Sequence, residues 1–560
     1  MKLFTLSGLL LAILLTGNQS AAVAQHTPDW QRVQRLGLAS SGISAATADA
    51  NGNTYVAGSF FGTGRFGSFT FTSPAASSEG DGLVIKLDPY GNVLWARQIT
   101  GFRSEYVSDI ALDAAGNVTV VGTMYHDATF DASTTLRGAT VSSPDLFVAR
   151  YDANGTVLWA RSYGGALDNA DAFIGNGVAL DAAGNVYVAG GLKGSVALGT
   201  STLVNSSPQH APVLLKLTSA GAVSWAKQGQ IANSTANMSH QGAQHVSVDA
   251  AGNAVLVGEF VGSLRFGATA LQTSSYWNEA FITRFDTGGN VVWAQQTNGT
   301  SWTHPTKVGL DAAGNAYVTG THQGSTVVGS QALVSAGLTD GFVVKFDPSG
   351  STQWAHTIGG GGNDVSSALA VTSMGEVYVT GSFTGSATLA PGTSLAGYGG
   401  TDIFVACYSA QGAIRWVQQA GGSGYETANT LCVDAAGRVY VGGQCPGPAT
   451  FAPINFAGMG YPFIAQLIAP AALATSPARV VAPLQFSPNP AIETIRFNTL
   501  PAGSRIILLD ALGRAVHTSV AASSAVAGTQ ISVRGLAPGT YLLRATDPTG
   551  RQYCGRLLVQ

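Results

Sequence analysis

Residues 307–320 read Lys-Val-Gly-Leu-Asp-Ala-Ala-Gly-Asn-Ala-Tyr-Val-Thr-Gly, and this stretch decides the fold. Its centre, Asp-Ala-Ala-Gly-Asn, is a tight-turn sequence between two apolar runs, which is a strong signal for a β-hairpin. The phrase occurs four times in this form and three times in a looser form, at intervals of 61 to 68 residues. The seven copies begin at Asp49, Asp113, Asp181, Asp249, Asp311, Thr372 and Asp434.

Each copy belongs to a module in which we predict four strands, A to D. Strand A precedes the turn and strand B follows it, strand C is a second apolar run such as Phe342–Phe346, and strand D carries a tryptophan. The tryptophans of the first six modules are Trp95, Trp159, Trp225, Trp293, Trp354 and Trp416. Four strands repeated radially predict the blades of a β-propeller. A helical solenoid is excluded because no 3.6-residue period is present.

The seventh module ends at Pro462–Gln466 without a tryptophan strand. A segment that resembles strand D, Asp29–Val33 with Trp30, instead precedes the first module. We predict that Trp30 completes blade seven and closes the ring, which pairs both open sheet edges. The predicted fold is all-β: a seven-bladed β-propeller of four-stranded blades over residues 25–468, closed by an N-terminal strand, plus a small C-terminal β-sandwich.

The repeats resemble the bacterial β-propeller repeats of the SBBP type and, more distantly, the NHL-type propellers. The resemblance covers about residues 29–468; it implies a fold and no common ligand. The Asp88-x-x-Gly91-x-x-x-Trp95 phrase is also similar to the docking motif of pyrroloquinoline quinone propellers and to sialidase Asp boxes, but its spacing differs from both. Six repeats of one tryptophan favour packing between blades.

Both ends of the chain indicate export. Lys2, the apolar run Leu9–Leu15 and the small residues Ala22 and Ala24 predict a signal peptide over residues 1–24. Residues 469–484 are rich in alanine and proline and predict a linker. After it come short alternating strands between glycine and proline turns, which predict the β-sandwich over residues 485–560.

The tail carries an ordered set of motifs: Ser487-Pro-Asn-Pro490, Asp510-x-x-Gly-Arg514, Leu536-x-Pro-Gly-x-Tyr541 and an apolar end. This set is similar to the C-terminal sorting domain of the type IX secretion system. The resemblance implies passage across the outer membrane with the secretion machinery as partner. It also implies release or attachment to surface lipopolysaccharide, so the expected location is the medium or the outer cell surface.

Composition excludes several classes of function. The net charge of −3 is too even for a nucleic-acid-binding protein. No apolar run after the signal peptide approaches 18 residues, so we expect no transmembrane helix. The turn phrases lack the alternating oxygen ligands of a calcium loop, and His210, His240, His245 and His304 have no metal-ligand spacing. We therefore expect no cofactor and no metal, and Cys432 is interpreted as a small core residue rather than a nucleophile.

A ligand site is predicted on one face of the propeller. A–B and C–D turns lie on one face and are short, whereas B–C and D–A connections lie on the other and are long and variable, as functional loops tend to be. Tyr276, Trp277, Trp302 and His304 fall in these connections around blade four and are the candidate ligand-binding residues. Three acidic loops belong to the same face: Asp168–Asp171, Gly359–Asp364 and Gly421–Glu426.

The function predicted from this arrangement is a non-enzymatic binding or adhesion module for a glycan or a protein. Two alternatives stay open: an exported polysaccharide hydrolase or lyase, and a structural spacer without a small ligand. No catalytic motif is recognised in the sequence.

Overall fold

The computed structural model describes residues 27–37, 40–73, 79–138, 140, 143–165, 171–232, 242–273, 276–457, 460–468, 482–497, 500–510, 515–521, 529–547 and 552–560. The predicted signal peptide, most of the predicted linker, His240 and residues 168–170 lie outside these ranges. The chain divides into two compact units, Met1–Pro470 and Ala471–Gln560. All regular structure in the described residues is β-strand, which confirms the predicted fold class.

The first unit contains a series of antiparallel sheets, each with four strands in the order A-B-C-D, and three of these sheets carry additional short strands. Seven such sheets are present in the described residues, and we interpret them as blades 1 to 7. Their strands are β2 Ser40–Ala48, β3 Thr54–Phe61, β6 Asp81–Leu87 and β7 Val93–Ile99; β8 Glu105–Leu112, β9 Val118–Tyr125, β12 Pro144–Tyr151 and β13 Val157–Tyr163; β14 Ala172–Leu180, β15 Val186–Leu198, β17 Ala211–Leu217 and β18 Val223–Gln228; β20 Gly242–Val248, β21 Ala254–Phe260, β24 Glu279–Phe285 and β25 Val291–Gly299; β26 Thr303–Leu310, β27 Ala316–His322, β30 Asp340–Phe346 and β31 Thr352–Ile358; β32 Val365–Val371, β33 Val377–Ala390, β34 Thr393–Tyr408 and β35 Ile414–Gly422; and β36 Thr427–Val433, β37 Arg438–Cys445, β40 Tyr461–Ile468 and β1 Asp29–Arg35.

Strand A of each sheet contacts strand A of the next sheet, and β36 of blade 7 contacts β2 of blade 1. Each strand A contains a β-bulge, and the extra residue in each case is polar. Four of these residues donate a hydrogen bond to a main-chain carbonyl of the following blade: Ser44 to Val107, Asn176 to Ala243, Thr306 to Ser366 and Asn429 to Ile43. The last of these bonds joins blade 7 to blade 1, so the inner strands form a continuous ring.

The B–C connections are more regular than predicted. They hold a second layer of short strands, mostly paired as hairpins, where the sequence predicted only long and variable connections. Their strands are β4 Thr63–Phe66, β5 Phe69–Thr72, β10 Asp127–Thr129, β11 Thr135–Arg137, β16 Ser201–Asn205, β22 Ser263–Phe266, β23 Thr269–Gln272, β28 Ser325–Val328, β29 Gln331–Val334, β38 Ala449–Phe451 and β39 Ile454–Phe456. Several of them pair with the end of strand D in the preceding blade, as β28 does with β25 and β38 with β35, and the segment β19 Gln230–Ala232 pairs with β22 in the same way. The hairpins therefore tie neighbouring blades together.

On the opposite face, the repeated tryptophans hold each blade to the next. The indole N–H of Trp95 donates to the carbonyl of Ala153 in the C–D turn of blade 2, and Trp159, Trp225, Trp293 and Trp354 donate in the same way. A glycine with positive φ closes each of these turns directly over the tryptophan ring. A Cβ on Gly350, for example, would lie 2.7 Å from the ring of Trp293. Packing and a hydrogen bond thus act at the same contact.

Strand β1 pairs with β40, so the sheet of blade 7 combines the two ends of the propeller sequence. Trp30, however, is not at the repeated tryptophan position. The residue opposite Gln466 in the register is Arg32, and its guanidinium donates to the carbonyl of Pro89 in blade 1, as the other tryptophans do to their turns. Trp30 lies two residues earlier, fully buried, and donates to the carbonyl of Gln419 in blade 6. The predicted alignment of Asp29–Val33 with the repeat is therefore wrong by two residues.

The Asp-Ala-Ala-Gly-Asn turns are held by their own side chains. In the turn of blade 5, Asp311 accepts hydrogen bonds from the main-chain N–H groups of Ala313 and Asn315 and from the Asn315 side chain. Gly314 adopts a φ of 80°, which favours glycine. These bonds are the turn-capping interactions expected from Asp and Asn at such positions.

The second unit contains a five-stranded and a three-stranded sheet over one apolar core. Its strands are β41 Ala482–Pro483, β42 Phe486–Ser487, β43 Thr494–Phe497, β44 Arg505–Leu509, β45 Ala515–Val520, β46 Gln530–Ser532, β47 Gly539–Thr546 and β48 Gln552–Val559. The Ser-Pro-Asn-Pro motif holds the last strand, because the Asn489 side chain donates to the carbonyl of Arg556 and accepts from the N–H of Leu558. The two sheets agree with the predicted small β-sandwich.

Candidate functional site

The two faces of the propeller are named by their connections. The turn face carries the A–B and C–D turns, and the loop face carries the B–C hairpins and the D–A connections. Exposed aromatic side chains on the loop face are Phe102, Tyr276, Trp277, Tyr398 and Tyr425, which are 72, 80, 43, 52 and 73% exposed. Burial of aromatic rings is the main gain of most binding interfaces, so exposed rings gathered on one face are a candidate ligand surface.

The structure places Tyr276, Trp277, Trp302 and His304 in one region of this face. The main-chain N–H of Thr303 donates to the carbonyl of Asn278 at 2.8 Å, which sets the segment of Trp277 beside that of Trp302. Tyr276 and Trp277 are exposed, whereas Trp302 is half-buried and its carbonyl accepts from the N–H of Gln323. The four predicted residues therefore meet where blade 4 joins blade 5.

A buried glutamate supports this region. Glu259 is almost fully buried at the end of β21, and one of its oxygens lies 3.2 Å from Nδ1 of His304. Its other oxygen accepts a hydrogen bond of 3.1 Å from the side chain of Asn278. His304 is thus engaged with the protein, and the aromatic pair Tyr276 and Trp277 is the more accessible part of the predicted site.

Sequence reasoning missed Phe102, Tyr398 and Tyr425. Each follows a glycine and lies within four residues of a buried acidic side chain, namely Glu105, Asp402 and Glu426. Asp402 accepts the main-chain N–H of Tyr398, and the N–H of Glu426 donates to Thr401, so both tyrosines project from a fixed backbone. The combination of glycine, aromatic and nearby acid in one connection was the signal available in the sequence.

The centre of the ring contains a second polar group of residues. Lys307 of blade 5 reaches Asp109 of blade 2, with 2.9 Å between Nζ and Oδ1, and Nε2 of His245 from blade 4 lies 3.3 Å from Oδ2 of Asp109. Nδ1 of His245 accepts the main-chain N–H of Val308 at 3.3 Å. The proton of a neutral His245 therefore belongs on Nε2, facing Asp109.

The pKa shifts of Asp109 and His245 agree with a neutral His245 ring. Burial by itself would raise the pKa of Asp109, but the Lys307 ammonium and the His245 N–H hold that pKa well below its ordinary value. Burial, together with the nearby Lys307, lowers the pKa of His245, so the ring is neutral at pH 7. The three side chains form a closed arrangement across the ring in which the polar groups satisfy one another.

No group of three or more His, Cys, Asp or Glu side chains suited to a metal ion occurs in the described part of the chain. Burial raises the pKa of the Cys432 thiol above its ordinary value, and the side chain packs in the core between blades 7 and 1. The four cysteines are present as free thiols. Among the described residues, no helix has the length and hydropathy needed to cross a membrane.

Comparison with known proteins assigns the second unit. Residues 485–560 match the model of the secretion system C-terminal sorting domain. The matched domain shows that the protein is exported through the type IX secretion system to the cell surface or the medium, which confirms the predicted location. It also implies contact with the secretion machinery. The SBBP-type resemblance of the repeats stays a prediction.

The chain is also similar to three other proteins. A segment of 171 residues is 29% identical to an uncharacterized WD repeat-containing protein of Acanthamoeba polyphaga mimivirus, covering 27% of this chain and 12% of that protein. The chain thus spans only a small part of that curated relative. Among solved structures, virginiamycin B lyase from Staphylococcus aureus is similar at 7% identity and a TM-score of 0.39, covering 78% of this chain and 99% of that one. PorZ, a surface component of the type IX secretion system of Porphyromonas gingivalis, is similar at 11% identity and a TM-score of 0.17, covering 94% of this chain and 100% of that one.

Proposed function

We propose that the propeller is a non-enzymatic binding or adhesion module that engages a glycan or a protein through its loop face. The observation that carries this proposal is the set of exposed aromatic rings Phe102, Tyr276, Trp277, Tyr398 and Tyr425 on that one face. The corresponding positions of the turn face are occupied by short capped turns, where the large exposed apolar side chains are Tyr90 and Met374.

A glycan suits this surface better than an apolar ligand. Tyrosine and tryptophan offer a flat apolar ring together with a polar edge, which matches the mixed apolar and hydroxyl faces of a sugar. The rings are spread over several blades rather than gathered in one deep pocket, as expected for an extended polymer or a protein surface. Buried side chains such as Glu259, Asp402 and Glu426 hold the backbone beneath them.

The central group of Asp109, His245 and Lys307 favours a structural rather than a catalytic role. A general base needs a nitrogen or oxygen able to reach a substrate proton, and both nitrogens of His245 already face protein groups. The enzyme alternative, a polysaccharide hydrolase or lyase, is tested by screening the exported protein on polysaccharides beside a His245→Ala variant. Turnover that disappears in the variant would favour the enzyme.

Surface attachment is part of the proposal, with lipopolysaccharide as the acceptor after sorting. Deleting residues 485–560 removes the sorting domain and is expected to leave the protein in the periplasm. Fractionation with immunodetection measures this outcome. Undiminished surface display of the truncated protein would contradict the role of the tail.

The binding proposal is tested on a printed array of bacterial and plant polysaccharides with the purified full chain. We expect a defined set of positive spots, reduced at least tenfold by the pair of substitutions Trp277→Ala and Trp302→Ala. Tyr90→Ala, on the turn face, is the matched control and should bind as the unmodified protein does. An array without signal, or a signal that the tryptophan substitutions leave unchanged, would count against the proposal.

A further inference from the structure

Pairs of buried carboxylates lie between neighbouring blades on the loop face. In each pair, one acid lies in strand C of a blade and the other immediately precedes strand A of the following blade. Asp340 pairs with Asp364 between blades 5 and 6, and Asp402 pairs with Glu426 between blades 6 and 7. Main-chain hydrogen bonds join each pair of segments, including those from Asp364 N–H to Thr339 and from Glu426 N–H to Thr401. All four acids are fully buried.

The pair between blades 5 and 6 converges on one point. Oδ1 of Asp340 and Oδ2 of Asp364 both lie 2.8 Å from the position that a Cβ on Gly359 would occupy. The absence of a side chain on Gly359 therefore leaves a small space with a carboxylate oxygen on each side. Oδ1 of Asp340 has no hydrogen-bond partner, although its other oxygen accepts the N–H of Ala336.

The pair between blades 6 and 7 is also incompletely hydrogen-bonded. Oδ1 of Asp402 and Oε1 of Glu426 are both buried without a hydrogen-bond partner. Their other oxygens accept main-chain N–H groups, from Tyr398 and Gly422 respectively. Glycines again flank the acids, since a Cβ on Gly421 would contact Oδ1 of Asp402 and one on Gly424 would lie 2.6 Å from Oε1 of Glu426.

The junction of blades 4 and 5 shows what happens when the second acid is missing. Glu279 begins strand C there, but Thr303 replaces the acid at the start of strand A. Both oxygens of Glu279 are then satisfied by the protein, with Thr297 Oγ1 and the N–H of Gly299 each donating at 2.6 Å. Of the paired acids, Asp340, Asp402 and Glu426 each keep one buried oxygen without a hydrogen-bond partner. Both oxygens of Asp364 accept main-chain N–H groups, from Gly360 and Thr384.

The paired acids have no positive partner within the described residues, because none of the four forms an ion pair with lysine, arginine or histidine. Two adjacent buried carboxylates can both stay ionised only if a compensating positive charge is bound beside them.

We propose that each of these two pairs, Asp340 with Asp364 and Asp402 with Glu426, binds one calcium ion between neighbouring blades. The donors are oxygens only, which calcium prefers, and two carboxylates balance its charge. Main-chain carbonyls and water complete the coordination in such sites. The ions would fix the loop face from which Tyr398 and Tyr425 project. This inference is independent of the proposed ligand, since calcium binding is measured without it.

Isothermal titration of CaCl₂ into the chelator-treated full chain tests the proposal. We expect two ions per chain, one after Asp340→Asn and one after Asp402→Asn, with Asp29→Asn as the control that keeps both. The affinity expected of an extracellular site is about 10⁻⁴ M. Absence of binding, or two ions retained in both variants, would overturn the proposal.

A second measurement keeps the proposal testable if the asparagine variants do not fold. Terbium replaces calcium in oxygen sites and emits when a nearby tyrosine is excited, and Tyr425 immediately precedes Glu426. The unmodified protein should give tyrosine-sensitised terbium emission that calcium reverses at the concentrations found by titration. Emission that calcium leaves unchanged, or no emission, would contradict the assignment.

Discussion

The turn face and the loop face of the propeller are built by the same repeat, but they differ in how completely their polar groups are hydrogen-bonded. On the turn face, Asp311 and its equivalents are capped by main-chain N–H groups, and each tryptophan N–H meets a carbonyl of the next blade. On the loop face, buried carboxylates such as Asp402 and Glu426 keep oxygens without partners, and aromatic rings stand exposed. The difference teaches that the turn face satisfies its polar groups within the protein, whereas the loop face, whose hairpins also join the blades, retains unsatisfied groups suited to ligands.

The largest effect is expected from the strand that closes the ring. Trp30→Ala removes a fully buried ring that packs against Phe451, and we expect it to lower the free energy of unfolding by about 4 kcal/mol. Urea unfolding measures the change. Gln31→Ala, at an exposed position of the same strand, is the control and should have almost no effect. Equal stability of the two variants would mean that β1 does not close the ring.

The central group of Asp109, His245 and Lys307 is expected to contribute to the stability of the ring. Lys307→Met leaves the buried Asp109 without its ammonium partner and should cost about 3 kcal/mol at pH 7. Adding Asp109→Asn to this variant should recover most of the loss, because the unpaired charge is gone. In the unmodified protein, the contribution of Asp109 is present above its ordinary pKa of 3.8 and is lost as the pH falls below about 4. A double variant no more stable than Lys307→Met would contradict this account.

Replacement of a turn-face glycine by alanine is expected to destabilise the protein. Gly350→Ala places a Cβ against the ring of Trp293 in a backbone region with φ of 86°, and we expect a loss of about 2 kcal/mol. Gly392→Ala has a similar positive φ of 78° but open space around the new Cβ, so it isolates the cost of the backbone conformation. The difference between the two variants in thermal unfolding measures the tryptophan contact. No difference would show that the ring does not constrain the turn.

A pH-dependent effect is expected at Glu105, a buried acid near Asp81 where blade 1 joins blade 2. Burial, with Asp81 and Asp127 nearby, raises the pKa of Glu105 from 4.5 to about 10. Between these values the folded protein holds a proton that the unfolded chain releases, so this group makes stability fall as the pH rises. Glu105→Gln removes the dependence, and its melting temperature relative to the unmodified protein should increase from pH 5 to pH 9 in chelator. A constant difference across this range would be inconsistent with a buried, protonated Glu105.

Much of the fold could be predicted because its signals are local. The Asp-Ala-Ala-Gly-Asn turns and the spacing of Trp95 to Trp416 define the repeat without knowledge of the third dimension. The position of Trp30 was placed two residues out of register because Arg32 occupies the repeated tryptophan position in β1, whereas Trp30 stands at the position that Val93 has in blade 1. The B–C hairpins were missed because their strands are three to five residues long and too short for periodicity to show.

The candidate site was less predictable because it depends on contacts between blades. Tyr276 and Trp302 were identified as residues outside the repeat, but Asp109, His245 and Lys307 come together only when the ring is formed. A regular spacing in the sequence could have predicted the acid pairs. Asp81 and Glu105, Asp340 and Asp364, and Asp402 and Glu426 are each separated by 24 residues, a second period within the repeat. This 24-residue period can be interpreted only when it is known that strand C of one blade lies beside strand A of the next.

The central claim is that ligands are bound by the loop face and not by the turn face. Hydroxyl-radical footprinting of the full chain, with and without a polysaccharide positive on the array, tests it most directly. We predict protection of Phe102, Tyr276, Trp277, Tyr398 and Tyr425, or of a contiguous subset of them, and unchanged oxidation of Tyr90 and Met374. Protection of Tyr90 and Met374 with no change on the loop face would contradict the claim.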